Sequence, residues 1–200
     1  MSQLTGKTVA VLVEDLYQDL EVWYPLLRLR EAGARVVTVG TGRAKSYKSK
    51  TGYEVFEDMS VTKVKVEQFD AIVVPGGYAP DILRRYPDMV DFVRQVNARG
   101  RLIASICHGA WLLCSADVLR GKTATCFFAI KDDVVNAGAR YVDEEVVRDR
   151  NLITSRKPED LPAFMATLIQ ALVEQRDESG STQTESRSRH RRVSRTAREI

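Results

Sequence analysis

The sequence predicts an α/β protein whose mostly parallel sheet is covered by helices on both faces. Short apolar, β-branched runs alternate along the chain with segments whose apolar residues recur at helical spacing. Such alternation is typical of doubly wound parallel sheets. The chain has 200 residues, of which 44% are hydrophobic, enough for one buried core. Residues 1–175 are therefore predicted to form a single domain.

The predicted elements follow from these patterns. The main buried strands are expected at residues 8–13, 35–39, 70–74 and 101–105. Shorter strands are expected at residues 122–125, 141–147 and 152–154, with a small antiparallel excursion within 43–66. Helices are expected at residues 19–32, from about 80, and at 87–98, 112–119, 130–136 and 158–173. Pro25 conflicts with the first helix and predicts a kink or a late start.

The last 25 residues differ in composition from the rest. Apolar content falls sharply from Glu174, so residues 176–200 are predicted to be a disordered, Arg-rich tail. Residues 187–198 contain six arginines and no acid, so the net charge of +3 is a property of the tail. Such a segment is expected to bind polyanions weakly, or to be a solvated extension without a partner.

Several protein classes are disfavoured by composition. No run reaches the roughly 18 apolar residues of a membrane span, and the first residues lack the apolar stretch of a signal peptide. The three cysteines are an odd number without framework spacing, which favours a reducing compartment. A cytoplasmic protein without a membrane partner is expected.

Cys107 stands where a predicted strand gives way to a predicted helix. The apolar run at 101–105 precedes it and the helical pattern at 112–119 follows it. A reactive side chain at such a sharp turn, a nucleophile elbow, projects from the edge of the sheet. Because a helix N-terminus lowers the pKa of a thiol, Cys107 is expected to be the most acidic of the three thiols. The alternative, a small buried core residue, agrees less well with flanking Ser105 and Gly109.

The imidazole available to this cysteine is the next residue. The chain has two histidines, and His190 lies in the predicted tail, so Cys–His chemistry in the domain would use His108. The remaining cysteines, Cys114 and Cys126, form no CxxC pair. A zinc site is therefore not expected, and no cofactor is predicted.

A second strand end is expected to face the elbow. Gly76 and Gly77 follow the strand at 70–74, and consecutive glycines bring backbone N–H groups close to a substrate, as an oxyanion hole requires. A Cys–His pair is usually oriented by a third group. Glu21 and Asp81 are both candidates, and their spacing in the sequence does not choose between them.

Four segments together resemble the PfpI intracellular-protease family. This family is a branch of the class I glutamine amidotransferase-like superfamily that also includes the parkinsonism-associated deglycase. The likeness extends from about residue 7 to 173. The segments are VVPGG at 73–77, ASICHG at 104–109, IKDDVVNAG at 130–138 and DLEVWYP at 19–25.

The resemblance implies a flavodoxin-like three-layer sandwich and a role for each site residue. Cys107 matches the nucleophile and His108 its adjacent imidazole. Gly77 and the His108 amide match the oxyanion-hole donors. Glu21 matches an acid that contacts the sulfur. Asp81 matches an acid that, in protease-like members, reaches the histidine of a neighbouring subunit, so a homodimer or higher homo-oligomer is implied.

The sequence departs from the family pattern near the site. Gln18 replaces a frequent Glu, Asp81 replaces a frequent Glu, and residues 127–128 are Phe-Phe where close relatives resemble Tyr-Pro. These changes bear on the third catalytic group and on substrate preference. Glutamine amidotransfer is excluded, because it needs a His–Glu pair late in the domain and the late histidine, His190, lies in the tail.

The family resemblance implies a cysteine-dependent hydrolase or lyase. The first expectation is a deglycase or cofactor-free glyoxalase that acts on small carbonyl compounds or glycated substrates in stress protection. The alternatives are an intracellular cysteine peptidase and a non-catalytic, redox-sensing stress chaperone whose Cys107 is oxidised reversibly.

Overall fold

The computed structural model describes residues 2–175. Its strands are β1 (Thr8–Leu12), β2 (Arg35–Gly40), β3 (Ser46–Lys48), β4 (Glu54–Phe56), β5 (Met59–Ser60), β6 (Ala71–Val74), β7 (Leu102–Ile106), β8 (Thr123–Ala124), β9 (Arg140–Tyr141), β10 (Val146–Asp149) and β11 (Leu152–Ser155). Its helices are α1 (Asp19–Glu31), α2 (Ala79–Leu83), α3 (Pro87–Ala98), α4 (Ala110–Ser115), α5 (Lys131–Asn136) and α6 (161–175). Short 3-10 turns lie at Val61–Lys63, Val66–Gln68, Cys107–Gly109, Phe128–Ile130 and Pro158–Asp160.

Seven of these strands form the central sheet, in the order β10–β11–β7–β6–β1–β2–β5. All neighbours pair in parallel except β10 and β11, which are antiparallel. The strands β6, β1 and β7 occupy the middle, and β6 and β7 are buried along their whole length. Continuous apolar strands suit this position because helices cover both faces of a parallel sheet.

The two faces of the sheet bury two separate groups of side chains. Val9 and Val11 of β1 pack with α1 and α6 in one cluster. Ala10 and Leu12 of the same strand pack with α3 and α4 in the other. Because successive residues of a strand point to opposite faces, one short apolar strand supplies both layers. The result is the flavodoxin-like three-layer sandwich that the family resemblance implies.

The four main strands lie within one residue of their predicted bounds, as β1, β2, β6 and β7. The antiparallel excursion is confirmed as the pair β3–β4. Helix α1 begins at Asp19 despite Pro25, because the side chain of Gln18 accepts a hydrogen bond from the N–H of Glu21 and caps the first turn. A late start of this helix is therefore wrong.

Two details of the sheet differ from the prediction. The single strand expected at 141–147 is divided, because Tyr141 pairs with β8 while Val146 pairs with β11. Strand β5 was not expected, since two residues are too short to show a period. Helix α4 also ends early, at Ser115, with Asp117 in the left-handed region. The predicted tail, residues 176–200, lies outside the described residues.

The β3–β4 hairpin holds the loop between β1 and α1 in place. The N–H of Leu16 donates to the carbonyl of Lys48 at 2.7 Å, and the N–H of Lys50 donates to that of Tyr17 at 3.0 Å. On the other side of the loop, the N–H of Tyr78 donates a hydrogen bond to the carbonyl of Leu16, at 2.9 Å. The start of α1 is thus fixed against the strand end that follows β6. Within residues 2–175, no helix is long and apolar enough to cross a bilayer.

Candidate active site

Cys107 lies directly after β7 in a strained backbone conformation. Its φ is +60°, in the left-handed region that favours glycine. For a residue with a side chain this conformation costs about 1–3 kcal/mol, and such strain concentrates at functional sites. A Cβ at Gly109 would lie 2.4 Å from the carbonyl oxygen of Val74. The turn therefore packs against the end of β6, and the elbow predicted from the sequence is present.

Glu21 reaches Cys107 from the first turn of α1. Its side chain is completely buried, and its Oε2 accepts a hydrogen bond from the N–H of Gly76 at 2.7 Å. A Cβ at Gly76 would lie 2.7 Å from Glu21 Oε2 and 2.8 Å from Cys107 Cβ. A side chain at Gly76 would therefore collide with both groups, so this position requires glycine.

The environment of Glu21 favours its protonated form. Burial raises its pKa to about 7, although the N–H of Gly76 and the thiol of Cys107 act in the opposite direction. The other carboxyl oxygen, Oε1, is buried and has no hydrogen-bond partner among the described residues. An anion with one unpaired oxygen is costly in such a place, so a proton on Glu21 stabilises the site.

The thiol of Cys107 is not the acidic group expected from the sequence. Burial and the negative charge of Glu21 raise its pKa to about 12, and burial raises the pKa values of Cys114 and Cys126 as well. The expectation took Glu21 as a support for the thiolate, whereas the charge of Glu21 opposes one, and the helix behind the thiol is short, since α4 has 6 residues. A thiolate at Cys107 consequently needs a protonated Glu21 beside it.

Two backbone amides offset part of this penalty. The N–H groups of His108 and Gly77 donate to the Cys107 sulfur and act to lower its pKa. Gly77 has a φ of +77°, and a Cβ there would lie 2.5 Å from the backbone nitrogen of Gln18. The N–H of Gly76 is engaged by Glu21 instead. The structure thus brings both predicted glycines to the site, with Gly77 as the donor toward sulfur and Gly76 as the support of Glu21.

His108 lies against the sulfur and is enclosed by aromatic rings. Its Nδ1 is 3.2 Å from Cys107 Sγ. The ring stacks on Phe127 at a centroid distance of 5.0 Å and meets Trp111 edge-on at 4.9 Å. Burial, and then the positive charge of Lys50, lower its pKa. The imidazole is therefore neutral near pH 7 and able to exchange a proton.

Of these aromatic neighbours, Phe127 was placed near the site by the family resemblance, whereas Trp111 was not recognised as a site residue from the sequence. His108 and Trp111 are three positions apart at the predicted start of a helix, so their contact did have a local signal in the sequence. The contact between His108 and Phe127 joins segments 19 positions apart in the chain. No local pattern predicts it.

Asp81 is not brought to Cys107 or His108 within the chain. It lies in α2 and forms an ion pair with Arg85. Although partial burial opposes it, hydrogen bonds from Arg85 and Tyr78 lower the pKa of Asp81. The role that the resemblance implies for Asp81 concerns contacts between subunits and stays a prediction.

The other polar groups near the elbow do not form a metal centre. All three cysteines are free thiols, and Cys126 is 1% exposed. Cys114 donates weakly to the carbonyl of Asp133, 3.6 Å away. Within the described part of the chain, no three His, Cys, Asp or Glu side chains are grouped so that they could hold a metal ion.

Fold and site together define a parallel α/β domain with a strained cysteine on an elbow, a neutral imidazole next to it and a buried carboxyl beneath it. Residues 7–171 match the model of the DJ-1/PfpI family. The chain belongs to this family, and the resemblance seen in the sequence is confirmed.

Named relatives support the same assignment. A deglycase of Pyrococcus horikoshii is 42% identical over 164 residues, covering 82% of this chain and 98% of the relative. A Bacillus subtilis protein whose name proposes a cysteine protease is 39% identical, with coverage of 80% and 94%. Among solved structures, Drosophila melanogaster DJ-1beta superposes with a TM-score of 0.79 at 30% identity, covering 84% of this chain and 90% of that one.

Proposed function

We propose that this protein is a cysteine-dependent enzyme that repairs or detoxifies carbonyl adducts, as a deglycase or a cofactor-free glyoxalase. The observation that carries the proposal is the strained Cys107, with Glu21, His108 and two amide donors directed at its sulfur. The deglycase name of the Pyrococcus horikoshii relative, 42% identical, supports the choice of substrate class.

The first step is transfer of the Cys107 proton to Glu21. Both groups are buried, and the pKa of Glu21 is already raised to about 7, so the carboxyl accepts a proton near neutral pH. The negative charge that raises the pKa of Cys107 then disappears, and the amides of Gly77 and His108 support the thiolate. The thiolate adds to the aldehyde carbon and forms the hemithioacetal oxyanion, which the same two amides stabilise.

The remaining steps convert the adduct into a 2-hydroxy acid. The C1 hydrogen leaves as a proton, and a proton is returned to C2, which changes the hemithioacetal into a 2-hydroxyacyl thioester on Cys107. Water then hydrolyses the thioester and restores the thiol. The sum is RCOCHO + H₂O → RCH(OH)COOH. Neutral His108, 3.2 Å from the sulfur, is placed to move these protons.

The same chemistry removes a glycated amine. In a hemiaminal adduct, R′NH–CH(OH)–COR, the thiolate displaces the amine, which leaves with one proton, and the hemithioacetal follows the path above. The sum is adduct + H₂O → amine + 2-hydroxy acid. No redox partner or metal enters either balance.

A peptidase is the second candidate, and the protease-like name of the Bacillus subtilis relative favours it. Peptide cleavage needs an orienting partner for the imidazole, since a leaving amine must be protonated. Among residues 2–175, His108 contacts Phe127, Trp111 and the sulfur of Cys107, and no carboxylate forms a hydrogen bond with its imidazole. The reaction with aldehydes does not need an orienting partner for the imidazole, and we therefore prefer the deglycase or glyoxalase function to the peptidase.

A side-by-side assay distinguishes these functions. Wild type and Cys107→Ala are compared on methylglyoxal, a glycated peptide and a casein-type protein, with Cys114→Ala as the control for loss of a thiol outside the elbow. Conversion of methylglyoxal or release of the free amine, lost in Cys107→Ala alone, supports the proposal. Casein cleavage alone would indicate a peptidase. Sulfinate formation at Cys107 without turnover would indicate the redox-sensing alternative.

A further inference from the structure

A continuous row of aromatic rings leads from the half-buried imidazole of His108 to the surface. Trp111 meets His108, His108 stacks on Phe127 with an interplanar angle of 29°, and Phe127 contacts Phe128 at a centroid distance of 4.7 Å. These distances lie within the range of favourable aromatic pairs. Cys107 adjoins the row through the 3.2 Å contact between its sulfur and His108.

The backbone fixes the outer end of this row relative to the sulfur. The N–H of Phe127 donates to the carbonyl of Cys107 at 3.4 Å. Phe128 begins the 3-10 turn Phe128–Ile130, which leads directly into α5. The two phenylalanines are therefore held by the elbow on one side and by a helical segment on the other.

Phe128 is placed to meet a ligand rather than the core. Its side chain is 70% exposed, the largest exposure among the large hydrophobic residues described, whereas Phe127 is half-buried against His108. Isolated exposed apolar residues are common and need no explanation. Phe128 is different because it continues a ring surface that begins at the proposed catalytic imidazole.

The chemistry of this end of the row is apolar. Arg84 lies 6.0 Å from the ring of Trp111, at the opposite end of the row, and the positive charge of Lys50 acts on His108. Phe127 and Phe128 carry no hydroxyl or charge, so the surface that they offer attracts a flat apolar group by stacking and by removal of both from water.

We propose that Phe128, together with Phe127, determines specificity by binding an aromatic or other flat apolar substituent of the carbonyl substrate. The inference rests on the proposed function, and it names the substituent that the site prefers. In such a complex the reacting aldehyde lies at Cys107, and the substituent lies along the two phenyl rings toward solvent. Arylglyoxals are then better substrates than methylglyoxal.

The kinetic test compares phenylglyoxal with methylglyoxal. The ratio of their kcat/KM values is measured for wild type, Phe128→Ala and Phe128→Tyr. Phe128→Ala is expected to lower the ratio about three- to tenfold, the size of one aromatic contact, mainly through KM for phenylglyoxal. Phe128→Tyr, which keeps the ring, is expected to retain the ratio.

The matched control is Phe56→Ala. Phe56 is also an exposed phenylalanine, at 66%, but it lies in β4. The hydroxyl of Thr38 in β2 donates a hydrogen bond to the backbone carbonyl of Phe56, so Phe56 lies next to β2. Strand β2 is separated from β7 by β1 and β6. Phe56→Ala is expected to leave the ratio unchanged. An unchanged ratio in Phe128→Ala, with methylglyoxal still turned over, would overturn the inference and leave the proposed function intact.

A second readout does not depend on turnover. Cys107 is alkylated with 2-bromoacetophenone and with bromoacetone, in each case by thiolate attack on the CH₂ carbon and departure of bromide, and the rates are followed by peptide mapping. The aromatic reagent is expected to lose its rate advantage in Phe128→Ala and to keep it in Phe56→Ala. If wild type turns over neither aldehyde, the proposed function fails, and an equal alkylation ratio in both variants would reject the aromatic site as well.

Discussion

Cys107 and Glu21 are coupled through one proton. Both are buried. The negative charge of Glu21 raises the pKa of Cys107, whereas the hydrogen bond of the Cys107 thiol lowers the pKa of Glu21, so the pair releases its protons in two separated steps. The amides of Gly77 and His108 lower the pKa of Cys107, so they act toward the arrangement in which the proton lies on Glu21 and the charge on sulfur. The nucleophilicity that we propose for Cys107 is thus a property of the pair and not of the cysteine alone.

Glu21→Gln tests this coupling through stability. The pKa of Glu21 is raised from its ordinary 4.5 to about 7, so the native state binds more protons than the unfolded state between these values. The stability that protonation gives is complete below pH 4.5 and is lost as the pH rises through 7. Glu21→Gln, which cannot ionise, should therefore be more stable than wild type at pH 8 by up to about 3 kcal/mol.

The measurement is urea unfolding of both proteins at pH 5 and pH 8. The advantage of Glu21→Gln should shrink strongly at pH 5, where Glu21 is protonated in the wild type. An equal difference at the two pH values would show that the carboxyl is not the titrating group. Glu31→Gln, an exposed glutamate of the same helix, is the control and should show little change at either pH.

The start of α1 links three features of the structure: the β3–β4 hairpin, the Gln18 cap and the carboxyl group of Glu21. Gln18 accepts the N–H of Glu21 at 2.9 Å, and the hairpin residues Lys48 and Lys50 hold the loop that precedes the helix. This arrangement explains why a neutral amide at Gln18 is compatible with the site. Its oxygen is used to cap the helix and to fix the backbone of Glu21.

Gln18→Ala should lower the free energy of unfolding by about 1 kcal/mol, because the cap of α1 is lost. It should also slow the alkylation of Cys107, since Glu21 is no longer held. Ser60→Ala removes a comparable cap, the hydroxyl that accepts the N–H of Thr62 at 3.4 Å, from a 3-10 turn. The two variants should differ in Cys107 reactivity. Equal reactivity would mean that Gln18 serves the helix only.

The strands and helices of the fold could be predicted from the sequence more fully than the contacts around Cys107. Buried parallel strands such as β6 and β7 are readable because apolar runs between glycines and prolines are local signals. The meeting of Cys107 with Glu21 was implied by the family resemblance, while the residues alone left Glu21 and Asp81 open. The surroundings of Cys107 oppose the acidity expected from the sequence. Burial and the charge of Glu21, which raise its pKa, arise only when segments distant in sequence pack together.

Self-association is a prediction for the whole protein. Helix α1 presents an exposed apolar stripe, with Leu20 at 55%, Tyr24 at 37% and Leu27 at 57% exposure. Their spacing places all three on one face of the helix. Together with the implied role of Asp81 across a subunit boundary, this surface leads us to expect a homodimer or a larger homo-oligomer.

Asp81→Ala should reduce activity without unfolding the chain, and sedimentation velocity of wild type should show an oligomer. Asp91→Ala is the control, because Asp91 is likewise ion-paired on a helix surface, with Arg94. Exposed ion pairs contribute less than about 1 kcal/mol, so neither change should affect folding much. A strict monomer that is fully active would exclude a site shared between subunits.

The second prediction for the whole protein is that the Arg-rich tail, residues 176–200, binds polyanions weakly. Deletion of residues 176–200 should abolish weak, salt-sensitive binding of nucleic acid and leave the chemistry of Cys107 unchanged, since six arginines in 187–198 supply the positive charge. Filter binding of both proteins at low and physiological salt is the measurement. Equal affinity of the full and shortened chains would place the binding elsewhere.

The central claim is that Cys107 forms the covalent bond to the substrate. The most direct test is rapid acid quenching of the wild-type protein during turnover of methylglyoxal, followed by peptide mapping of the acyl thioester. We expect the adduct on Cys107, none on Cys114 or Cys126, and a much smaller amount in Glu21→Gln. Turnover without an adduct on Cys107, or with the adduct on another cysteine, would contradict the account.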